Sequence, residues 1–422
     1  MDLIGWATVA GVLVTSATAF LALPGYARTR EERSQFRFRA ERRYLLDHRP
    51  ELLLRAAQQY PREARIPNTT CLTSPNWVMP NPVPLDLVHI QFESVRRPAG
   101  MTGRSRAARR LLPLPVRRVP ESTYTTALAA DPQLRPRLFW DGISYDLRAF
   151  EVIDGSVRLS LGLANFFEMV DVCESFAHEF SSGRARRFRS MAKQAPDPFD
   201  LSKHVNIPAL TWILLVRESD GSTTFLLHAR DPDAVVSDGK FRHAYGGQVQ
   251  PSSEHAIDPR DETTLWKSFA REFAEELLGC EETAGRPVAP LDFCSPPYST
   301  LRRMTDDGRL TVSLLGLVID PLSRWPSMLA AAVCDRKALE GLPSFVAKNS
   351  EGRVIGARQT TDGIEGYRLS EEIVSRLCSD PLVGMSAKGC LVRIWEHRSA
   401  LGLIAGCPPS VDGSESQQNL GR

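Results

Sequence analysis

Three closely spaced glutamates are the side chains best suited to do chemistry in this sequence. Glu272, Glu275 and Glu276 lie in the segment Leu265–Gly279, which reads LWKSFAREFAEELLG. In an α-helix the three carboxylates fall within roughly 100° of arc and repel one another. A divalent cation such as Mg²⁺ takes oxygen ligands and offsets that repulsion, and it can polarise a phosphoryl oxygen and generate hydroxide. The spacing therefore predicts metal ligands at all three positions, with Glu275 and Glu276 acting catalytically.

The same segment predicts the helix that positions these glutamates, from about 262 to 278. Apolar residues recur on one face, which must be buried, at Trp266, Phe269, Ala270, Phe273 and Leu277. Gly279 is well placed to end the helix. The alternative to a metal site is a glutamate-rich helix surface that serves folding or ligand binding.

A strand hairpin precedes this helix in the chain. Ala209–Val216 is a strongly apolar strand, Glu218–Ser222 has the composition of a turn, and Thr223–His228 is the returning strand. The glycine pair Gly246-Gly247 follows, before the predicted helix. Further strands are predicted at Leu310–Asp320 and Met328–Asp335.

The helix and hairpin together resemble a known family. The run Arg271–Gly279 looks like the core of the Nudix box, arginine-glutamate-apolar-x-glutamate-glutamate-x-glycine. Gly246-Gly247 stands where that fold has the start of the box. The resemblance covers about 206–345 and implies a Nudix-like mixed-sheet α/β/α sandwich. It also implies that Arg271 orients one of the metal-binding glutamates, which are Glu272, Glu275 and Glu276.

The spacing departs from the family box. The loop between Gly247 and Arg271 is longer than the family's, and glutamates stand one position away from the required places, at Glu254 and Glu262. Gly279 comes one position late. Two interpretations of the site therefore stay open: a Mg²⁺-dependent diphosphate hydrolase, and a nucleotide pocket that has lost strict catalytic spacing.

The N-terminal segment predicts a membrane span. Leu3–Ala22 contains no charged residue, and twenty helical residues extend about 30 Å, the thickness of the hydrocarbon core. Arginines follow the span, so the positive-inside rule predicts a single-pass inner-membrane protein with its N-terminus outside and its C-terminal body cytoplasmic. A cleaved signal peptide is the alternative, but it would have a basic start and a shorter apolar stretch.

The 422-residue length favours two or three domains. The predicted fold class is α/β, with an N-terminal transmembrane helix and an additional α/β region before the Nudix-like domain. The predicted division is a transmembrane helix at 3–23, a helical basic linker at 26–60, a Nudix-associated α/β region at 61–205, a Nudix-like domain with a C-terminal helix at 206–405, and a disordered tail at 406–422. Aromatic residues do not interleave with the arginine clusters, so direct DNA or RNA binding is not expected.

The order of anchor, linker and Nudix-like domain resembles the transmembrane Nudix effectors of CBASS-type bacterial anti-phage systems. That resemblance implies an antiviral role in which the cytosolic domain senses a cyclic oligonucleotide. The chains then oligomerise and disrupt the inner membrane, causing abortive infection. Small residues at Ala7, Gly11 and Thr15 are typical of a span that self-associates in the lipid bilayer, although small residues are also common in such spans without that role.

A phosphate-binding pocket is predicted around the glycine pair. Its ligand-binding residues would be Arg242, His243, Tyr245, Gly246, Gly247, Gln248 and Arg271. The alternative is that the residues flanking the glycines are polar loop residues without a ligand. The competing functions are a membrane-anchored Mg²⁺-dependent hydrolase of a nucleoside diphosphate derivative, and a non-catalytic scaffold.

Overall fold

A computed structural model describes residues 29–93, 100–136, 139–182, 190–230, 241–251, 264–281, 291–349, 352–360 and 363–403. The predicted span at 3–23 and the predicted tail at 406–422 lie outside the described residues. Among the described residues, no helix has both the length and the apolar character needed to cross a membrane. This finding contradicts the predicted single-pass location in the inner membrane.

The α-helices of the described residues vary from one turn to five. They are α1 (Arg30–Asp47), α2 (Arg49–Ala57), α3 (Arg106–Arg109), α4 (Tyr124–Ala129), α5 (Phe166–Ser181), α6 (Ser190–Gln194), α7 (Thr264–Leu277), α8 (Tyr298–Asp306), α9 (Glu371–Ser379) and α10 (Met385–Glu396). Polar side chains begin several of them. The Thr29 hydroxyl, for example, accepts a hydrogen bond from Glu32 N and so caps α1.

The strands of the described residues belong to four sheets. They are β1 (Val78–Pro84), β2 (Val88–Phe92), β3 (Ile143–Ile153), β4 (Ser156–Asn165), β5 (Ala209–Arg217), β6 (Thr223–Phe225), β7 (Leu227–Arg230), β8 (Arg242–His243), β9 (Tyr245–Gln248), β10 (Leu310–Ile319), β11 (Pro326–Asp335), β12 (Gly352–Ile355), β13 (Arg358–Thr360), β14 (Gly363–Glu365) and β15 (Tyr367–Arg368).

The largest sheet is mixed. Its strand order is β1-β10-β11-β5-β6-β15, and β9 also pairs with β5. Strands β5 and β11 run parallel, whereas the other pairs are antiparallel. The predicted hairpin turn is confirmed, since β5 and β6 pair across a turn in which Gly221 has a φ of 79°. The predicted returning strand Thr223–His228 is wrong in its extent, because β6 ends at Phe225 and β7 pairs with β12 and β8 in another sheet.

Helices cover both faces of this sheet because alternate residues of β5 point to opposite sides. Trp212 lies in the same core as Phe269 and Phe273 of α7. Ile213 and Leu215 lie in a second core with the apolar side of α10, which contacts β5, β10 and β11. The mixed α/β class predicted from the sequence is therefore confirmed.

A smaller sheet lies within 61–205. Strands β3 and β4 form a hairpin at Asp154-Gly155, where both residues have positive φ, and β2 runs parallel to β4. Helix α5 follows β4 directly. Strand β1, from the same stretch of chain, instead pairs with β10 in the large sheet. The region at 61–205 thus contributes to the sheet of the predicted Nudix-like domain, and the domain boundary near 205 stays a prediction.

Buried ion pairs attach the first two helices to the rest of the protein. Arg42 of α1 pairs with Glu174 of α5, and Arg49 Nη2 of α2 lies 2.9 Å from Asp320 Oδ2. All four side chains are almost fully buried. Because an unpaired buried charge is strongly destabilising, these pairs hold α1 and α2 in one position.

Candidate functional site

Helix α7 lies where its apolar pattern predicts. The predicted helix at about 262–278 is observed as Thr264–Leu277, and the five residues of its predicted apolar face are all buried. Phe269 and Phe273 pack on Trp212 of β5, with ring centroids 4.9 and 5.7 Å away. Gly279 ends the helix with a φ of 72°, and Cys280 N donates to Ala274 O at 3.0 Å.

The three glutamates of α7 are buried as well. Glu272, Glu275 and Glu276 are 8%, 4% and 2% exposed. A buried carboxylate is stable only if charged or hydrogen-bonding groups replace the water it has lost. The partners of these three side chains therefore decide what the site can do.

Arg271 supplies the partners of the first two glutamates. Its guanidinium is 1% exposed; Nη2 donates to Glu272 Oε1 at 2.6 Å, and Nε lies 3.7 Å from Glu275 Oε2. The same guanidinium donates to the backbone oxygens of Gln248 at 3.1 Å and Gln250 at 3.3 Å. Arg271 thus joins α7 to β9 and to the residues that follow it.

Glu276 is held by a different set of residues. Its Oε2 accepts a hydrogen bond from Gly246 N at 2.7 Å. Its Oε1 lies 3.5 Å from His228 Nδ1 and 3.9 Å from Arg230 Nη2. Arg230 Nη2 also donates to Gly246 O at 2.9 Å, so both backbone polar groups of Gly246 are held by side chains.

Several polar atoms around Glu276 have no hydrogen-bond partner among the described residues. Glu276 Oε1 and both ring nitrogens of His228 make no hydrogen bond within the described part of the chain. His228 is 1% exposed. Buried polar atoms are rarely left without a partner, so these atoms keep unused hydrogen-bonding capacity at the site.

The glycine pair brings β9 close to its neighbours. Gly246 has a φ of 124°, and a Cβ there would lie 1.9 Å from Leu210 O of β5. A Cβ on Gly247 would lie 2.2 Å from Glu272 Oε1. Glycine is therefore required at Gly246 for β9 to fit against β5, whereas a side chain at Gly247 would displace the Glu272 carboxylate.

Two predicted ligand-binding residues lie against the connection between α9 and α10 instead. Arg242 forms an ion pair with Asp380, and its backbone oxygen accepts from Gly384 N. His243 packs edge-on against Phe241, with ring centroids 6.0 Å apart. A Cβ on Gly384 would lie 2.8 Å from His243 Nδ1. The binding role of Arg242 and His243 stays a prediction.

Tyr245 lies in the core. Its ring stacks on Trp212 at 5.1 Å and on His228 at 6.1 Å, and it is fully buried. Its hydroxyl donates to Leu227 O at 3.4 Å. Burial, and then the charge of Glu276, raise the pKa of Tyr245 well above its usual value, so this phenol stays protonated.

The sequence analysis did not select His228 and Arg230, although both lie beside Glu276. Side chains two residues apart in a strand point to the same side of the sheet. A basic pair with that spacing, at the end of the predicted strand 223–228 and just beyond it, is the signal that indicates them.

The arrangement does not fit a Mg²⁺ ion held by all three glutamates. Glu272 and Glu275 are turned to Arg271, and one oxygen of Glu276 is occupied by Gly246 N. Across the described ranges, no group of three or more histidine, cysteine, aspartate or glutamate side chains is arranged to hold a metal ion. The roles of Glu272, Glu275 and Glu276 as metal ligands, and of Glu275 and Glu276 as catalytic residues, stay predictions.

Comparisons with known proteins give limited information. No family model matches the chain, and no curated protein sequence matches it. The crystal structure of a NUDIX hydrolase from Alicyclobacillus acidocaldarius is similar at 15% sequence identity and a TM-score of 0.24, over 47% of this chain and 97% of that chain. A likeness of this size carries no argument about activity.

Proposed function

We propose that this chain binds a phosphate-bearing nucleotide through its Nudix-like domain, beside α7, without hydrolysing it. The observation that supports the proposal is the commitment of the three glutamates of α7 to protein partners. Arg271 engages Glu272 and Glu275, while Glu276 holds Gly246. In this proposal α7 holds β7 and β9 in position, and the nucleotide is bound by the cationic side chains beside α7.

Arg230 is the group that an incoming phosphate meets first. Its side chain is 23% exposed, whereas those of His228 and Arg271 are 1% exposed. A guanidinium binds phosphate oxygens in pairs and more strongly than it binds a carbonyl. A phosphate at Arg230 would therefore draw its guanidinium away from Gly246 O and Glu276. Ligand binding is thereby linked to the position of β9.

The proposed ligand is a cyclic oligonucleotide, and the proposed role is sensing in antiviral defence. Sensing requires that the ligand favour one state of the protein, and the proposed state is a homo-oligomer that binds the ligand more tightly than the single chain does. Membrane disruption is not part of this proposal because the inner-membrane location is contradicted by the helices of the described residues.

Isothermal titration calorimetry of the full chain tests this proposal. Cyclic dinucleotides and trinucleotides are titrated with Mg²⁺ and again with EDTA, and at least one is expected to bind equally in both. Arg230→Ala is expected to weaken binding about tenfold, as expected from the loss of a charge-assisted hydrogen bond. The matched control is Arg217→Ala in neighbouring β5, where Arg217 pairs with Asp335.

The outcomes separate clearly. Size-exclusion chromatography with the bound ligand is expected to show a larger species. No binding by any cyclic nucleotide of the panel, or equal binding by the Arg230→Ala variant, would rule out the proposal.

A Mg²⁺-dependent hydrolase of a nucleoside diphosphate derivative is the second candidate. Glu276 Oε1 favours it, because this oxygen makes no hydrogen bond with the described residues and a cation could reach it if Arg230 turned away. It predicts release of a nucleoside monophosphate that requires Mg²⁺ and is lost in Glu275→Gln and Glu276→Gln. Such turnover by the wild type would replace the binding-only proposal, and equal turnover in both variants would eliminate the hydrolase.

A further inference from the structure

A row of arginines follows one side of α1. Arg30, Arg33 and Arg37 stand at steps of three and four residues, so their side chains are neighbours on the helix surface. At 1.5 Å per residue the row is about 10 Å long. Like charges at this spacing repel one another and destabilise a helix.

The acidic residues of the same helix do little to neutralise this row. Glu32 Oε2 accepts from Thr29 N at 2.6 Å, and Glu31 pairs with Arg118 at 2.8 Å. Only Arg37 has a carboxylate partner, Glu41 at 2.8 Å. The side chains of the other two arginines make no ion pair or hydrogen bond with any residue of the described ranges.

The segment 111–117 lies opposite the arginine row and encloses a cavity with it. Leu114 N donates to Ser34 Oγ at 3.0 Å, which fixes this segment against α1. Arg109 Nη2 donates to Arg117 O at 3.0 Å and so fixes the position of Arg117, the fourth arginine of the cavity lining. The cavity has a volume of about 250 Å³ and is lined by Arg30, Arg33, Ser34, Arg37, Phe38, Leu111, Leu112, Pro113, Leu114 and Arg117.

The Arg117 side chain resembles those of Arg30 and Arg33 in having no charged or hydrogen-bonding partner among the described residues. Three such guanidiniums around an apolar floor form a strongly positive concave surface, which raises the local concentration of anions. Guanidinium groups bind phosphate oxygens in pairs. The volume is below the usual range of about 300–1,000 Å³ for pockets that hold drug-sized ligands, so the ligand is small.

We propose that the cavity between α1 and 111–117 binds a small free anion that carries two or more phosphate groups. The 10 Å row is long enough for adjacent phosphates to meet successive arginines. The site is separate from the residues beside α7, and it does not depend on the function proposed for them.

Isothermal titration calorimetry of the full chain with sodium tripolyphosphate tests this site. The wild type is expected to bind, with an affinity that falls as NaCl is raised. The double variant Arg30→Ala and Arg33→Ala is expected to bind at least about tenfold more weakly. Both positions are exposed and alanine favours helix, so the variant should unfold at the wild-type urea concentration.

Two control variants make the result specific. Arg43→Ala removes an exposed arginine from another side of α1 and is expected to bind as the wild type does. Arg230→Ala separates this site from the residues beside α7, because the double variant is expected to bind tripolyphosphate more weakly in the Arg230→Ala background as well. No binding by the wild type, equal binding by the double variant, or loss of binding only in Arg230→Ala would overturn the proposal. Binding only to phosphatidylglycerol vesicles, and not to tripolyphosphate, would also contradict a free anion.

Discussion

The carboxylate of Glu276 holds the backbone of Gly246, since its Oε2 accepts the Gly246 amide hydrogen with an N–O distance of 2.7 Å. This bond joins the acidic helix to the glycine strand across thirty residues of sequence. The hydrogen bond gives Glu276, which was predicted to be catalytic, a structural role. That role can be measured from the free energy of unfolding of Glu276 variants, as well as from their activity.

Glu276→Ala is expected to lower the free energy of unfolding by about 2–3 kcal/mol. The substitution leaves the buried Gly246 amide without an acceptor and opens space beside His228. Glu276→Gln keeps an acceptor oxygen and the side-chain volume, so its loss is expected to be about 1 kcal/mol. Urea unfolding followed by circular dichroism measures both. Equal losses in the two variants would show that the hydrogen bond is not the stabilising element.

Gly246→Ala is expected to destabilise the protein by about 3 kcal/mol or more. The residue has a φ of 124°, and a Cβ would lie 1.9 Å from Leu210 O, a backbone atom that cannot move without disturbing β5. Gly221→Ala is the matched control. It has a φ of 79° with open space around it, and the left-handed conformation alone costs about 1 kcal/mol. Similar unfolding midpoints for the two variants would contradict the close approach of β9 and β5.

Arg271→Lys is expected to cost about 3 kcal/mol, although the charge is kept. An ammonium cannot reach both Glu272 and the backbone oxygens of Gln248 and Gln250 that the guanidinium joins. The control is Arg217→Lys, at an exposed ion pair with Asp335, where the change is expected within about 0.5 kcal/mol. Denaturant titrations compare the two. A loss at position 271 as small as that at 217 would refute the linking role.

His204 is expected to make stability depend on pH between 4 and 6.5. Burial, and then the charge of Arg324, lower its pKa from 6.5 to about 4, although Val205 O accepts a hydrogen bond from the ring. Because the folded-state pKa is the lower one, protonation favours the unfolded chain. The stabilisation is complete above pH 6.5 and is lost as the pH falls toward 4, by about 3 kcal/mol.

The His204→Gln variant isolates this effect. Its free energy of unfolding should fall less than that of the wild type as the pH is lowered from 6.5 to 4. The Asp171 carboxyl, whose pKa burial raises to about 6, titrates in the same range with the opposite sign. The measurement is therefore the difference between the two proteins at each pH. A difference that does not change with pH would contradict the buried, uncharged imidazole.

Local patterns predicted the helices and strands well. The apolar repeat of α7 and the apolar run of β5 each depend on residues a few positions apart, and each element was found where the pattern placed it. The composition of Leu3–Ala22 was also a local pattern, but the cellular location inferred from it is contradicted by the helices of the described residues. Leu3–Ala22 itself lies outside the described residues.

The sequence by itself determined that the three glutamates lie on one helix and that a glycine pair precedes them, because helical periodicity and backbone freedom are properties of neighbouring residues. Only the tertiary structure decided the partners of those glutamates. Arg271 pairs with Glu272 and Glu275. Glu276 instead contacts His228, Arg230 and Gly246, which lie in strands distant from α7 in the sequence. Burial removes water from every carboxylate on the helix, and the groups that replace it are supplied by the packing of distant segments.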